Sequence, residues 1–281
     1  MTGDVIRVSP DWLALREPAD AAARARDLAA RLEPELPAAG RWLIHDLGAG
    51  SGSMGRWLAP LLPGRQHWIL HDRDADLLKV AAAHPPGPAA DGTEVTVEAR
   101  RSDIIRLDPG DLAGATLVTA SALLDMLTEA ELADLVRVCA GPGCPILITL
   151  SVVGRVLMTP EDPLDGRVTA AFNAHQRRET ERGRLLGPDA VKRAAARFGA
   201  RGAEVLVRPS PWRLGAWNPG LTAEWLTGWV RAAREQQADL TAELDGYTER
   251  RLAEANGGRL SVIVDHADLL VLPARTPPSS S

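Results

Sequence analysis

The stretch that decides the fold is residues 41–57, RWLIHDLGAGSGSMGRW, where an apolar run meets an acidic residue and then a series of glycines. The apolar run predicts a short buried strand, with Asp46 at its carboxyl end. Gly48, Gly50 and Gly52 follow at every second position, and the residues after them predict a helix. Glycine allows a sharp turn and a close approach of a ligand, and the start of a helix offers unpaired N–H groups. This order indicates a pocket for a nucleotide-type cofactor at the end of the first strand.

Two classes of cofactor are compatible with the glycine pattern. Gly50, Gly52 and Gly55 satisfy the dinucleotide pattern G-x-G-x-x-G, and an acidic residue, Asp72, follows about 20 positions on. Asp46 argues against a dinucleotide, because a carboxylate beside the cradle would repel the two negative charges of a pyrophosphate. S-adenosylmethionine (SAM) has no phosphate and presents an ammonium, a sulfonium and a single carboxylate, so Asp46 favours SAM.

The turn from Asp46 to Gly52, DLGAGSG, resembles the first motif of the class I SAM-dependent methyltransferases. The resemblance covers residues 41–155 well and residues 188–273 by topology. It implies an α/β fold with a Rossmann-like, mostly parallel seven-stranded sheet, helices on both faces and an antiparallel last strand. The expected strands are 42–45, 67–72, 93–100, 116–120, 145–150, 203–208 and 260–272, the last one bent or bulged near Asp265 and His266. The expected helices include 54–62, 74–83, 166–180 and 188–199.

The resemblance also implies which residues hold the cofactor. Asp72, at the end of the second strand, would bind the ribose hydroxyls, and Ser102-Asp103-Ile104 lies where the family contacts adenine. Asp74 can serve as the N-cap of the helix that follows, which leaves Asp72 to the ligand. The expected cofactor-binding residues are Asp46, Gly48, Ala49, Gly50, Gly52, Asp72, Arg73, Asp103, Ile104 and Ser121.

A single methyltransferase domain is expected over residues 1–275, followed by a tail at 276–281 that should be disordered. The domain divides into a helical cap at 1–40, a SAM-binding core at 41–154, an insertion or lid at 155–187, and the rest of the sheet with a long helical insertion at 188–275. In the cap, Pro18 is predicted to begin a second helix, since proline is tolerated in the first helical turn. We expect 11–33 to cover the cofactor as a lid; the alternative is a helix that only packs on the outside of the sheet.

Composition narrows the partners of the chain. The net charge of −5 over 281 residues argues against a nucleic-acid partner, which usually requires a basic face. The sequence shows no long uncharged apolar run and no signal-peptide core, so we expect a cytoplasmic protein without a membrane partner. Cys139 and Cys144 are expected to be incidental buried thiols, and no metal site is expected. The oligomeric state is left open.

The methyl acceptor should meet the cofactor beyond the carboxyl ends of the strands. Trp212 and Arg213 are the favoured pair, because the indole offers an apolar face and the guanidinium a fork for a carboxylate or phosphate. The substrate-binding candidates are Trp12, Arg16, Asp125, Trp212, Arg213 and Trp217. His175 and His266 are weak candidates for a general base, since a lone histidine is more often structural.

The function predicted from these residues is SAM-dependent methyl transfer, by in-line displacement, to a small molecule that could be anionic. Two alternatives stay open. One is an NAD-dependent oxidoreductase that uses Gly50, Gly52 and Gly55. The other is a SAM-binding protein without methyl-transfer activity, which the lack of an evident base leaves standing.

Overall fold

The computed structural model of the protein describes residues 8–37 and 40–274. Its strands are β1 Arg41–Leu47, β2 Arg65–Asp72, β3 Val95–Arg101, β4 Leu117–Ser121, β5 Ile146–Thr159, β6 Glu179–Thr180, β7 Gly183–Arg184, β8 Glu204–Pro209, β9 Trp212–Leu214 and β10 Ser261–Leu272. The main sheet has the order β3-β2-β1-β4-β5-β10-β8, with β9 paired to β10, while β6 and β7 form a separate hairpin. Strands β1 to β5 pair in parallel, and β10 runs antiparallel between β5 and β8. The predicted mostly parallel sheet with an antiparallel last strand is confirmed, and β9 is an addition to it.

Helices cover both faces of this sheet. They are α1 Pro10–Ala23, α2 Arg26–Leu32, α3 Ser53–Leu58, α4 Ala75–Ala83, α5 Glu129–Ala140, α6 Asp165–Gln176, α7 Ala190–Gly199, α8 Pro219–Gln236 and α9 Thr241–Asn256. Successive side chains of a strand point to opposite faces. Accordingly Leu269 of β10 packs in a core with α5 and α7, whereas Leu270 packs in a second core with α2, α3 and α4. This two-sided burial explains the nearly continuous apolar runs of the central strands.

A third apolar core lies beside the sheet, under the long helices near the end of the chain. Trp225 and Trp229 of α8 stack with their rings 5.3 Å apart and pack with Tyr247 of α9. Strand β5 supplies Met158 to the same core. The sequence placed the end of this strand at residue 150, but β5 continues to Thr159 because β10 pairs with it over that whole length. The register of β10 shifts between Val264 and His266, where the sequence predicted a bend or bulge.

The cap differs from the prediction at Pro18. This proline was expected to begin a second helix, but it lies inside α1, which starts where Ser9 Oγ accepts a hydrogen bond from Trp12 N at 3.1 Å. A proline inside a helix removes one N–H and strains the preceding turn, and Pro18 sits on the exposed side of the helix. The chain leaves the helix only at Arg24, where the backbone turns to an extended ψ of 136°. The predicted disordered tail at 276–281 lies outside the described residues.

Candidate cofactor cleft

The glycine turn after β1 has the backbone conformation that only glycine adopts readily. Gly48, Gly50 and Gly52 have φ of +66°, +54° and +85°. A Cβ on Gly50 would lie 3.3 Å from Leu13 Cδ1, and one on Gly48 would lie 3.3 Å from Leu123 Cδ1. The sharp turn that the sequence predicted is therefore present, and side chains are excluded from it by both strain and contact.

Asp46 lies at the carboxyl end of β1 and is 1% exposed. Its Oδ1 accepts a hydrogen bond from Thr119 Oγ1 at 2.8 Å, across to the neighbouring β4. Its Oδ2 is buried and has no hydrogen-bond partner among the described residues. Burial raises the pKa of this carboxyl to about 7, against the opposing effects of Thr119 and Arg24. A buried oxygen without a donor costs free energy, so a ligand that brings a donor or a positive charge would be stabilised here.

Asp72 ends β2 and holds the glycine turn. Its Oδ2 accepts from Gly50 N and its Oδ1 accepts from Asp74 N, both at 2.8 Å. Asp74 caps α4 as predicted, with bonds from Asp76 N and Leu77 N. The expectation that Asp72 is left entirely to the ligand is wrong in this respect, although each carboxylate oxygen keeps a second lone pair.

The loop after β3 carries the residues expected to contact adenine. Asp103 is half-buried and its Oδ1 accepts from Ile105 N at 3.3 Å, which caps the short 3₁₀ turn Ile104–Arg106. Arg73 is exposed, and its carbonyl accepts from Arg101 Nε at 3.3 Å. This loop lies at the same end of the sheet as Asp72, because β2 and β3 are parallel neighbours.

Helix α1 closes over the glycine turn and leaves a cleft of about 50 Å³. The lining residues come from α1, from the end of β1 with its turn, and from the end of β4: Leu13, Arg16, Asp20, Asp46, Gly48, Ala49, Gly50, Ser51, Ser53, Met54, Ser121 and Ala122. Pockets for small molecules occupy about 300–1,000 Å³. The cleft as it stands is therefore the closed form of any such site, and α1 must move before a nucleoside-sized ligand can enter.

One ion pair fastens α1 to the turn. The carboxylate of Glu17 accepts from Arg56 Nε at 2.7 Å and from Arg56 Nη2 at 2.6 Å. Arg56 Nη1 also donates to Ser51 O at 2.7 Å and to His84 O at 2.9 Å. The guanidinium thus links the helix above the cleft to the backbone of the glycine turn and to the end of α4.

Arg16 faces the cleft in a fixed position. Its Nε and Nη2 donate to the carboxylate of Asp20, one helical turn on, at 3.0–3.2 Å. Its guanidinium carbon lies 4.8 Å from the centre of the Trp212 ring, and Trp212 Nε1 donates to Asp20 Oδ1 at 2.9 Å. Trp12 meets the same indole edge-on with ring centres 6.4 Å apart.

The structure does not bring the predicted pair Trp212 and Arg213 together. Trp212 is 3% exposed and points to the interior, whereas Arg213 is its neighbour on β9 and points to solvent on the opposite side of the strand. Arg16 takes the place beside the indole that was expected for Arg213. The spacing of Arg16 and Asp20, four residues apart on one helix, is the sequence signal that could have indicated this.

The other substrate candidates lie apart from one another. Asp125 is half-buried in the 3₁₀ turn Leu124–Met126 after β4, and burial raises its pKa while Arg16 opposes the shift. Trp217 is 60% exposed and donates from Nε1 to Arg213 O at 2.9 Å. It lines a surface groove with Leu15 and does not line the cofactor cleft.

Neither histidine candidate has the properties of a general base in this cleft. His175 pairs with Glu235 at 3.2 Å between α6 and α8, away from the cleft lining. His266 is buried, stacks near Trp212 at 5.3 Å, and donates from Nδ1 to Val264 O at 2.9 Å. Burial lowers the pKa of His266 to about 3, so this imidazole is neutral and weakly basic at neutral pH.

One cleft residue was missed by the sequence analysis. Arg24 ends α1, is 2% exposed, and donates to the hydroxyls of Ser53 and Ser121, both of which line the cleft. In the sequence it is one of several arginines in an alanine-rich cap, and nothing in that pattern distinguishes a buried arginine from exposed ones.

Two searches of the described ranges, 8–37 and 40–274, were negative. They contain no group of three or more His, Cys, Asp or Glu side chains that could hold a metal ion. They also contain no helix with the length and apolar character needed to span a membrane.

The chain is similar to solved structures over nearly its whole length. It matches a cyclopropane synthase from Mycobacterium tuberculosis over 94% of each chain, with 11% identity and a TM-score of 0.48. It matches a SAM-dependent methyltransferase from Thiobacillus denitrificans, in complex with S-adenosyl-L-homocysteine (SAH), over 95% of this chain and 100% of that one, with 14% identity and a TM-score of 0.46.

A SAM-dependent methyltransferase from Geobacter sulfurreducens, also in complex with SAH, matches over 95% of this chain and 92% of that one, with 16% identity and a TM-score of 0.42. No protein-family model and no curated protein matches the chain. By its strand order the chain has the fold expected of a class I SAM-dependent methyltransferase. At these identities and TM-scores, the function of the cleft has to be argued from its own residues.

Proposed function

We propose that the protein is a SAM-dependent methyltransferase and that SAM binds in the cleft beneath α1. The observation that carries this proposal is the buried Oδ2 of Asp46, which has no partner among the described residues and lies beside a turn of three left-handed glycines. The residues present fit SAM. Its ammonium would give Asp46 the donor that the oxygen lacks, and its adenosine would extend along the glycine turn toward Asp72 and Asp103.

The charge at Asp46 also supports SAM over a dinucleotide. A pyrophosphate placed at this turn would bring negative charge close to the carboxylate in a site of low dielectric, where like charges repel strongly. A cation there instead favours the ionised carboxylate and reverses the rise in pKa that burial causes.

The acceptor is proposed to be a small molecule with an anionic group. Arg16 supports this, because Asp20 and Trp212 hold its guanidinium against the cleft while Nη1 stays unpartnered among the described residues. Bound SAM supplies an electrophilic methyl group. The chain would contribute alignment of the acceptor and exclusion of water, since α1 covers the cleft.

A carboxylate oxygen is the acceptor atom that suits this site best. It needs no general base, whereas a hydroxyl or an ammonium must lose a proton before or during transfer. The candidate histidines do not supply such a base, because His266 is weakly basic and His175 lies away from the cleft lining.

Titration calorimetry with SAM, SAH and NADH tests the cofactor. We expect SAM and SAH to bind and NADH not to bind. Mass spectrometry of a panel of small carboxylic acids, incubated with the protein and SAM, then tests the acceptor by a gain of one methyl group. NADH binding without SAM binding would establish the dinucleotide alternative. SAM binding with no product from carboxylates, amines or alcohols would favour a SAM-binding protein without transfer.

A further inference from the structure

Arg24 is a buried cation without a carboxylate partner. Among the described residues, its guanidinium has no carboxylate oxygen within ion-pair distance, although the side chain is 2% exposed. Arg251, which is 1% exposed, shows the usual arrangement: it pairs with Asp165 at 2.5 Å and with Glu254 at 2.8 Å. A buried charge that lacks such a partner is costly to the fold, so the position of Arg24 calls for a reason.

The contacts of Arg24 are neutral and long. Nη2 donates to Ser53 Oγ and Ser121 Oγ at 3.1 Å, Nε to Thr149 Oγ1 at 3.4 Å, and Nη1 to Ser53 O at 3.4 Å. Hydrogen bonds between a guanidinium and a carboxylate are shorter, about 2.7–2.9 Å. The Trp57 ring, 5.4 Å from the guanidinium carbon, offsets part of the burial cost. These contacts hold the side chain in place and leave its charge without an anion.

The hydroxyls in front of Arg24 are arranged as donors to the cleft. Ser121 Oγ accepts from Arg24 and also from Thr149 Oγ1 at 3.0 Å. A hydroxyl has two lone pairs and one hydrogen, so Ser121 keeps its hydrogen for a further acceptor. Ser53 Oγ likewise accepts from Arg24, and both serines line the cleft. Two hydroxyl donors with a cation behind them form a site for a carboxylate.

We propose that Ser53 and Ser121, backed by the positive charge of Arg24, bind the carboxylate of the cofactor's amino-acid end. This inference rests on the proposed function. Together with Asp46, whose free oxygen faces the same cleft, it makes the cleft specific for ligands that keep an intact zwitterionic α-amino acid. Arg24 is then a positioning residue that acts through the two serines.

Calorimetry of the full chain with SAH and with 5′-methylthioadenosine tests this inference. Both ligands contain adenosine and a thioether, but the second lacks the amino-acid end. In Arg24→Met we expect SAH affinity to fall about tenfold or more, while affinity for 5′-methylthioadenosine stays within about threefold of wild type. Arg24→Lys should recover part of the SAH affinity. The matched control is Arg26→Met, on an exposed side chain of α2, which should change neither affinity.

A second variant keeps the test decisive if Arg24→Met does not fold. The double variant S53A/S121A leaves the guanidinium in place, and we expect it to lose SAH affinity about tenfold while keeping 5′-methylthioadenosine affinity. Equal losses of both ligands in these variants, or an unchanged ratio of the two affinities, would overturn the inference and leave Arg24 as a tie between the cap and the sheet. A wild-type chain that binds neither ligand nor SAM would instead overturn the proposed function.

Discussion

Gly50 is the residue at which backbone conformation and packing act together. Its φ of +54° is rarely adopted by residues with a Cβ, and Leu13 of α1 fills the space that a side chain would need. Its N–H is also held by Asp72. The close approach of helix, turn and carboxylate therefore depends on this one missing side chain.

We predict that Gly50→Val abolishes SAH binding, because the added side chain strains the turn and pushes α1 outward. Gly87→Val is the matched control, since an added Cβ at Gly87 meets no atom within 4 Å. The measurement is the rise in melting temperature on adding SAH, which should vanish in the first variant and persist in the second. A full SAH-induced rise in Gly50→Val would show that the cofactor lies elsewhere.

Asp46 leads to a prediction about pH. Its pKa is raised from 3.8 to about 7 in the fold, so the native state holds this proton more tightly than the unfolded chain does. Stability from this group is present below pH 4 and is lost as pH rises toward 7, at about 1.4 kcal/mol per pKa unit for a fully buried group. Asp46→Asn should therefore become the more stable protein, relative to wild type, as pH rises through this window.

Denaturant unfolding of both proteins between pH 4 and 8, without ligand, measures this difference. Parallel pH profiles for the two would contradict the assignment. The ligand moves in the opposite direction: because a bound ammonium favours the ionised carboxylate, SAM affinity of the wild type should rise with pH through 7, and that of Asp46→Asn should not.

At the scale of the element, the cap divides into two helices with different attachments. Leu28 and Leu32 of α2 are at most 1% exposed and belong to the core that packs on the sheet. Helix α1 buries little beyond Ala19 and Asp20 and is held largely by polar contacts over the cleft. The expectation of a lid over 11–33 therefore narrows to α1, while α2 has the packing role that was its alternative.

We predict that Glu17→Gln speeds the opening of α1. The variant removes the charge that binds Arg56, so SAH should associate and dissociate faster, with a change in Kd smaller than the change in either rate. Stopped-flow binding measures both rates, and limited proteolysis of α1 without ligand should also quicken. Glu243→Gln is the control, because Glu243 makes an equivalent bidentate ion pair with Arg167 between α6 and α9. Unchanged rates in Glu17→Gln would mean that the ion pair does not limit opening.

At the scale of the whole molecule, two histidines at the centre of the sheet set the response to acid. His45 and His71 are 1% and 2% exposed, and their Nδ1 and Nε2 atoms lie 2.9 Å apart. Burial lowers both pKa values from 6.5 to about 4. They therefore stabilise the fold above pH 6.5, and this contribution is lost as pH falls toward 4, opposite in sign to that of Asp46.

We predict that His71→Gln flattens the loss of stability between pH 6.5 and 4 by a few kcal/mol, at about 1.4 kcal/mol per pKa unit. Gln keeps a hydrogen-bonding group next to His45 and Ser102 but cannot take up a proton. The measurement is the free energy of unfolding in urea across this range, with His84→Gln at an exposed site as control. A pH profile as steep as that of wild type would assign acid sensitivity to other groups.

The sequence by itself determined the order of strands and helices and the turn at the end of β1. Alternation of apolar runs with helical stretches is a local signal, and glycine at Gly48, Gly50 and Gly52 is the residue that a left-handed turn requires, so both can be read without the fold. Asp46 was found for the same reason, since a strand end followed by glycines is a local pattern.

Only the tertiary structure decided which side chains meet across the cleft. Trp212 lies almost 200 positions from Asp20 in the chain, yet its indole donates to that carboxylate, and this contact turns Trp212 away from Arg213. Arg24 lies in a helix of exposed arginines and is buried because the chain turns inward at the end of α1. Burial and pairing of charges depend on contacts between distant segments, and local pattern carries no information about them.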